Sequence, residues 1–386
     1  RSTTETKFGR MARFWKYYVT GGLDLDYHRI NSSLSGLGEF DNAGVREAFL
    51  SNLYATPQVD FERNGWRVSL RMPLKWLHYS VAGRHDYINT DPRLNVRRQL
   101  TAKSDVSGTV AYSLGSPQAY LNITMPVLSD YRNLFIADNP GKYSQKVETA
   151  LTYRYRNPVK SLFFNISAAY NYSRSTVMSD QLFVGDFIIS TYAARLAENN
   201  SWSVKGGFSK GLGHSKMVAG LDLNASVSSA SSMRDDAVIP YRQTAAGVKP
   251  YVKGSIMRWL SADYEADYVF SKLKIDKETN NCHSFRQTLF GTIIPDDRVQ
   301  FTVGAEHYLT RFPEGNTANL VLLDASAVWR VSNKVRLSLT ARNLLNRRDY
   351  RYGNYGTLSR SEHYYRIRGR NILASLLSLI HISEPT

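Results

Sequence analysis

Three carboxylates alternate along one short segment, at Asp263, Glu265 and Asp267. In an extended strand, side chains two positions apart point to the same side, so these three would face one common space. Their mutual repulsion requires water or cations nearby. Two interpretations follow: the carboxylates bind a ligand or ion, or they pair with another domain or with cations such as Arg298, Arg336 or Arg342.

The other residues that could do chemistry lack the required spacing. Cys282 is the single cysteine and falls in a segment that we predict as a loop, so neither a disulfide nor a metal site follows from it. The 8 histidines show no His-Glu-x-x-His pattern for zinc. The Gly211-Leu212-Gly213 turn is not followed by the Gly-Lys-Ser/Thr of a phosphate-binding loop. We therefore predict no enzyme activity and no cofactor.

The dominant pattern is an alternation of apolar and polar residues along nearly the whole chain. In 260–271, Leu260, Ala262 and Tyr264 begin an apolar row, and the three carboxylates lie in the opposite row. A period of two indicates a strand with two different faces. Such runs are about 10 to 14 residues long, which matches the roughly 9–11 residues that a tilted strand needs to cross a bilayer. About 16 strands are predicted, at 15–30, 46–58, 65–82, 93–102, 106–115, 144–156, 159–173, 199–210, 216–228, 243–256, 260–273, 283–292, 297–308, 317–330, 335–344 and 361–376.

The predicted connections alternate between tight turns and long polar loops. Tight turns fall at 156–158, 211–215, 258–259, 295–297 and 332–334. Longer loops fall at 31–45, 116–143, 174–198, 229–242, 274–282, 309–316 and 345–360. Short turns on one side and long loops on the other are typical of a transmembrane β-barrel. The sequence thus predicts an all-β, antiparallel, up-and-down transmembrane barrel.

Composition agrees with this fold class. No run of 18 or more apolar residues is present, which argues against membrane-spanning helices. The formal net charge of +16 is spread along the chain and is accompanied by no nucleic-acid-binding motif, so we predict no nucleic-acid partner. Cations at the rim of a barrel could instead contact anionic lipid headgroups of an outer membrane.

The last third of the chain resembles a known family. Residues 335–350, with the element Asn343-Leu344-Leu345-Asn346 and the following Tyr350, resemble the penultimate strand and loop of TonB-dependent outer-membrane receptors. Residues 364–376 resemble the closing strand, with Arg366, Arg368 and Arg370 on one face. Residues 66–79 and 202–211 look like the Bacteroidetes outer-membrane β-barrel branch of that family.

The resemblance implies a fold, a function and partners. Family members have a barrel of about 22 strands around a plug domain, so residues 1–377 are expected to be a partial barrel without the plug, and 378–386 a non-native tail. The implied function is uptake of a small nutrient (siderophore, vitamin, glycan or peptide) across the outer membrane of a Gram-negative bacterium, with energy from the TonB complex acting through the plug. The alternatives are a plugless porin or adhesin-like barrel and, in a different class, a soluble β-rich binding protein such as a propeller.

Two sets of candidate residues follow. The long loops 116–143 and 174–198 carry aromatic residues that we expect to contact the nutrient: Tyr120, Tyr131, Phe135, Phe183 and Phe187. Charged residues of the strands are expected to line the lumen: Asp263, Glu265, Asp267, Arg298, Glu306, Arg336, Arg342, Arg366 and Arg368. For the arginines of the closing strand, salt bridges to a plug and binding of an anionic substrate both remain open.

Overall fold

The computed structural model describes residues 2–34, 42–80, 84–115, 127–128, 130–136, 143–213, 216–313, 315–355 and 360–378. No helix in these residues is long and apolar enough to cross a membrane. The strands are β1 (Ser2–Ala12), β2 (Trp15–Leu34), β3 (Asn42–Arg63), β4 (Trp66–Arg71), β5 (Leu74–Ser80), β6 (Arg84–Thr90), β7 (Arg93–Thr101), β8 (Ser104–Gly115), β9 (Val127–Leu128), β10 (Asn133–Phe135), β11 (Ser144–Asn157), β12 (Leu162–Ser175), β13 (Met178–Val184), β14 (Phe187–Ala193), β15 (Ala197–Gly211), β16 (Lys216–Arg234), β17 (Ala237–Met257), β18 (Leu260–Ile275), β19 (Glu278–Asp296), β20 (Val299–Arg311), β21 (Thr317–Arg330), β22 (Val335–Arg342), β23 (Asp349–Tyr355), β24 (Arg360–Arg366) and β25 (Asn371–Ser378).

One large antiparallel sheet contains most of these strands. Each strand of this sheet pairs with the sheet's own preceding and following strands along the chain, and the strands of the two smaller sheets are passed over, so that β8 pairs with β11, β12 with β15 and β22 with β25. The β4–β5 and β6–β7 pairs each act as one long strand, interrupted at Pro73 and Pro92, where no backbone N–H is available for the ladder. The register is unchanged across both interruptions. The predicted all-β, up-and-down antiparallel fold is thereby confirmed.

The first and last strands of the sheet have one neighbour each within the described residues. β1 pairs with β2, and β25 pairs with β22. β1 and β25 are therefore the two edge strands of the described sheet.

Several strand predictions were wrong. Ser2–Ala12 forms a strand that was not predicted, because its alternate positions carry threonines, lysine and arginine and give no apolar row. The predicted closing strand 361–376 is divided. Arg360–Arg366 pairs with β23 in a separate two-stranded sheet, and only Asn371–Ser378 joins the wall. Ser378, the first residue of the expected tail, pairs with Val335, and 379–386 lie outside the described residues.

Several predicted long loops are instead extensions of strands. β16 and β17 meet at a two-residue turn, Asp235-Asp236, whose φ angles are 49° and 64°. β18 and β19 meet similarly at Asp276, with φ 48°. A turn with positive φ at its centre matches the twist of the flanking strands, so the hairpin can continue to its tip. Cys282 consequently lies inside β19 and not in a loop.

The two faces of the wall differ in chemistry. Register and alternation place Asp263, Glu265 and Asp267 on one side, called the polar face below, and Tyr264, Ala266 and Tyr268 on the other, called the apolar face. Along the whole sheet the apolar face exposes large side chains, among them Leu223, Leu289, Val303 and Leu339 at 46–50% of their surface. A continuous apolar surface of this size is characteristic of a face that contacts lipid.

Aromatic residues form two rows on the apolar face. Near the tight turns, Trp15 packs on Phe61 (ring centroids 4.7 Å apart) and Tyr153 packs on Phe164 (6.1 Å). Further along the strands, Tyr170 packs on Trp202 (4.4 Å). Phe164 and Tyr170 are six positions apart on β12, or roughly 20 Å along the strand. Two aromatic rows with an apolar band between them correspond to the interfacial girdles of a transmembrane barrel.

Candidate functional site

The predicted carboxylate cluster faces the polar side, but its partners differ from those expected. Glu265 lies between two lysines of β17, with Lys249 Nζ at 2.8 Å and Lys253 Nζ at 2.7 Å. Asp263 Oδ1 accepts the backbone N–H of Gly254 at 3.0 Å. Pairing with Arg298, Arg336 or Arg342 was therefore the wrong prediction, because cross-strand neighbours on β17 are nearer. No group of three or more His, Cys, Asp or Glu side chains in the described residues could hold a metal ion.

The remaining predicted lumen residues divide into two groups. Glu306, Arg336 and Arg342 occupy positions on the polar face, and Glu306 accepts a hydrogen bond from Tyr308. Arg298 belongs to the turn between β19 and β20, where its backbone N–H donates to Asp296 at 2.7 Å.

Arg366 and Arg368 are not on a wall strand. Arg366 ends β24, and Arg368 lies in the segment that connects β24 to β25. Their predicted place on one face of the closing strand was therefore wrong, because the strand of that hairpin pairs with β23.

A second charged centre was not predicted. Asp105, whose side chain is 5% exposed, accepts hydrogen bonds from Arg97 (3.1 Å), Arg154 (3.1 Å) and Arg156 (3.3 Å). Sequence reasoning missed it because its members come from three strands and lie up to 59 residues apart in the chain, from Arg97 to Arg156. One carboxylate among three guanidinium groups leaves an excess of positive charge on this part of the polar face.

The loops 116–143 and 174–198 contribute to one small outer sheet, in which β10 pairs in parallel with β14, and β13 and β14 form a hairpin. One side of this sheet is its core, where Leu134 and Ile189 are buried together with Met178. Phe187 belongs to the core side. Phe135 and Phe183 lie on the opposite side, where Phe135 packs edge-on against Tyr192 (6.1 Å).

The four predicted aromatics within the described residues do not form one site. Phe183 is covered by the guanidinium of Arg234, 4.5 Å from its ring centroid. Tyr131 is 82% exposed and stands apart, in a turn where Asp130 accepts the backbone N–H groups of Arg132 and Asn133. The N–H of Arg132 lowers the pKa of Asp130. Tyr120 lies outside the described residues.

The tip of the β16–β17 hairpin anchors this outer sheet. Asp235 Oδ1 accepts the N–H of Phe183 at 3.1 Å, and the N–H of Asp235 donates to the carbonyl of Gln181 at 3.1 Å. The side chain of Met233 is fully buried below it. The tip of the predicted loop 229–242 is thus an exposed turn that also contacts the outer sheet.

A cleft of about 540 Å³ lies between the polar face of β19–β21 and the β23–β24 hairpin. The volume is within the range of small-molecule sites. Its polar and aromatic lining comes from the wall and from the hairpin, and its floor contains the buried Phe312 and Leu320. The lining includes Cys282, Arg286, Tyr308, Asp349, Tyr350, Arg351 and Tyr364.

The charges of the cleft favour an anionic group. The Arg286 guanidinium lies over the ring of Tyr308 at 5.3 Å, and Tyr308 meets Tyr350 edge-on with centroids 6.5 Å apart. Arg351 adds a second guanidinium. Asp349 is engaged by Tyr364, and the hydrogen bond between them raises the pKa of Tyr364. Two guanidinium groups beside three tyrosines can bind a carboxylate or phosphate and stack on a planar group.

A groove of about 560 Å³ on the apolar face has a different character. It is lined by residues such as Phe301, Trp329, Leu339 and Leu376. Its walls belong to the surface that the two-faced sheet turns toward lipid, so the cleft on the polar face is the better candidate for a solute.

Comparison with known proteins gave structural likeness only. No protein-family model matches the chain, and no curated protein matches its sequence. Among solved structures, the chain is similar to outer-membrane receptors and transporters at 8–11% sequence identity.

Three of these structures illustrate the likeness. The ferric yersiniabactin uptake receptor FyuA of Yersinia pestis is 9% identical, with 98% of this chain and 78% of that chain covered and a TM-score of 0.37. The FrpB iron transporter of Neisseria meningitidis is 11% identical, with 97% and 71% covered and a TM-score of 0.36. The ferric-catecholate import receptor Fiu of E. coli K12 is 8% identical, with 97% and 81% covered and a TM-score of 0.31.

Proposed function

We propose that this chain forms the wall of an outer-membrane β-barrel that takes up a small solute. The observation that carries the proposal is the two-faced sheet: long strands expose a continuous apolar face bounded by aromatic rows, and the opposite face carries charged residues. Closed barrels are the form in which strands cross a bilayer, and a polar inner face is what a dissolved solute requires.

The mode of uptake is that of an energy-coupled receptor. The support for this mode is the resemblance of Asn343-Leu344-Leu345-Asn346 and its flanking strand to TonB-dependent receptors. The partners would then be the TonB complex, acting through a plug domain, and a scarce nutrient.

The solute site proposed is the cleft over Arg286. Arg286 and Arg351 would bind an anionic group of the solute, and Tyr308 and Tyr350 would stack on its planar part. The outer sheet formed by β9, β10, β13 and β14 would border the entrance.

The membrane assignment is tested by placing the same charge on each face of β19. Leu289 is on the apolar face and is 47% exposed, and Thr288 is its neighbour on the polar face. We expect Leu289→Arg to lower folding stability in phosphatidylcholine vesicles by about 2–4 kcal/mol, and Thr288→Arg to have a much smaller effect. Equal effects of the two substitutions would refute the orientation of the wall.

The solute site is tested with gallate, an anionic aromatic probe, titrated into the chain in detergent. We expect Arg286→Gln and Tyr350→Ala to weaken gallate binding about tenfold, because each removes one direct contact. Tyr131→Ala, in the exposed loop, is the matched control and should leave binding unchanged. If only Tyr131→Ala weakened gallate binding, the solute site would lie in the loops. In a separate assay, rapid swelling of liposomes that contain the chain, in a solution of neutral sugars, would favour a passive pore.

A further inference from the structure

A group of cations faces outward beyond the second aromatic row, on the same side of the wall as the apolar face. Arg242 and Lys274 lie directly opposite each other on β17 and β18, and Lys272 lies opposite Thr244. Arg311 lies opposite His283 on β20 and β19. Arg242, Lys272, Lys274 and Arg311 are called the outer cation group below, and all four are exposed.

The outer cation group has no carboxylate partner among the described residues within salt-bridge distance. The flanking cross-strand neighbours are neutral: Ser229 lies opposite Arg242, Asn281 opposite Lys272, and Thr279 opposite Lys274. Glu198 and Asp276 line the same surface depression as Arg242 and Lys274, and Glu198 is already engaged by Arg174 at 3.7 Å and by the hydroxyl of Tyr172. Like charges directly opposite on neighbouring strands are destabilising without an anion between them.

An apolar groove begins below these cations. It has a volume of about 280 Å³ and is lined by Tyr268, Phe285, Leu309, His283, Arg311 and Thr317. The Tyr268 hydroxyl and His283 Nδ1 are 2.8 Å apart at its edge. Arg311 therefore lies at the polar end of a surface that is otherwise aromatic and aliphatic.

The distance between the second aromatic row and the outer cation group matches the polar region of a bilayer. Tyr268 is eight positions beyond Leu260, the first residue of β18, as Tyr170 of the second aromatic row is eight positions beyond Leu162, the first residue of β12. Lys272 follows Tyr268 four positions later, or roughly 13 Å along the strand. Headgroups occupy the several ångströms directly outside the hydrocarbon. Long lysine and arginine side chains can also bend back toward that layer.

We propose that the outer cation group and the groove below it bind a lipid whose headgroup carries phosphate. The acyl chain would lie against Tyr268, Phe285 and Leu309, and the phosphate oxygens would accept hydrogen bonds from Arg311 and Lys272, and from Arg242 and Lys274 for a headgroup that reaches further. This inference rests on the proposed place of the chain in a membrane, but it concerns the outer surface and is independent of the solute cleft.

The test counts lipids bound to the full chain in detergent micelles by native mass spectrometry, with phosphatidic acid and phosphatidylcholine as competing probes. The variant R242Q/K272Q/K274Q/R311Q removes the outer cation group. The control variant R71Q/K75Q/K205Q/K216Q removes the same charge from the polar face. Circular dichroism of both variants verifies that the strands are retained.

We expect the wild-type chain and the control variant to prefer phosphatidic acid, and the R242Q/K272Q/K274Q/R311Q variant to lose this preference by about tenfold or more. An unchanged preference in that variant would overturn the proposal. An equal loss of preference in the control variant would also overturn the proposal, since net charge alone would then explain the binding. Displacement of the lipid by an acidic polypeptide such as polyglutamate would overturn it as well. Failure of the wild-type chain to insert into phosphatidylcholine vesicles is the separate result that would refute the membrane assignment.

Discussion

Arg154 Nε donates a hydrogen bond to Asp105 Oδ2 at 3.1 Å, and its Nη2 lies 3.1 Å from the same oxygen. The other oxygen accepts from Arg97 and Arg156. This carboxylate therefore joins β7, β8 and β11 close to their tight turns. Its removal would leave three guanidinium groups facing one another.

Asp105→Asn is expected to destabilise the wall by about 2–3 kcal/mol, less than for a fully buried pair because the arginines are 39–57% exposed. The measurement is the urea midpoint of folding into vesicles. Glu62→Gln breaks the exposed pair with Arg67 and should have little effect. Similar midpoints for the two variants would contradict a structural role for Asp105.

Asn343 is predicted to be the essential residue of the Asn-Leu-Leu-Asn element. Asn343 is 7% exposed, and its backbone N–H donates a hydrogen bond to Asp324 at 2.7 Å. Its side-chain amide donates to the carbonyl of Arg368 at 2.9 Å and accepts the backbone N–H of Arg347 at 2.9 Å. Asn343→Ala should cost about 2–3 kcal/mol, since several buried hydrogen bonds are lost together.

The control for Asn343→Ala is Asn95→Ala, because Asn95 accepts one exposed hydrogen bond from Thr109. This change should cost less than about 1 kcal/mol. Thermal scans in detergent would compare the two, and equal melting temperatures would show that Asn343 does not clamp the segment before β25.

Gly254 is a position where a side chain is not tolerated. Its φ is +133°, and an added Cβ would lie 2.1 Å from the backbone carbonyl oxygen of Lys216. We expect Gly254→Ala to destabilise by more than about 1 kcal/mol, because a backbone atom cannot move aside. Gly291→Ala, where a Cβ meets nothing within 4 Å, should be neutral or slightly stabilising. Refolding yields in vesicles test the pair, and an equal yield would count against a backbone requirement at Gly254.

The outer sheet depends on a small apolar core that can be tested without affecting the wall. Leu134→Ala removes a fully buried side chain and should loosen the sheet by about 2–5 kcal/mol. The result expected is faster cleavage by external protease within residues 130–136 and 178–193, with the intervening wall strands β11 and β12 intact. Leu128→Ala, at a side chain that is 41% exposed, should change cleavage little. Unchanged cleavage in Leu134→Ala would indicate that this core is not what holds the outer sheet.

Much of the wall could be predicted from sequence because lipid on one side and water on the other enforce strict alternation. Residues 260–271 show this, since every carboxylate of the segment faces the polar side. Residues outside the bilayer are under no such constraint. The hairpin tips at Asp235-Asp236 and Asp276 looked like loops because their residues are polar, although tight turns allow the strands to continue.

The cleft could not be predicted because its parts are distant in sequence. Arg286, Tyr308 and Tyr350 come from two wall strands and a hairpin, and only the folding of β23–β24 over the polar face brings them together. Tyr364 was assigned to a closing strand because tyrosine and arginine alternate there. That alternation is real, but the partner of the strand is β23 and not the wall. The charge excess around Asp105 was hidden for the same reason.

The β16–β17 and β18–β19 hairpins continue for about seven residues past the second aromatic row, which corresponds to roughly 20 Å of hydrogen-bonded ribbon. A molecule that arrives from outside would thus meet two stiff, projecting hairpins on this side of the rim. Little conformational entropy remains to be lost in these hairpins when a ligand binds. They would therefore admit only molecules that fit their existing shape, and any conformational adjustment to the ligand would take place in other parts of the rim.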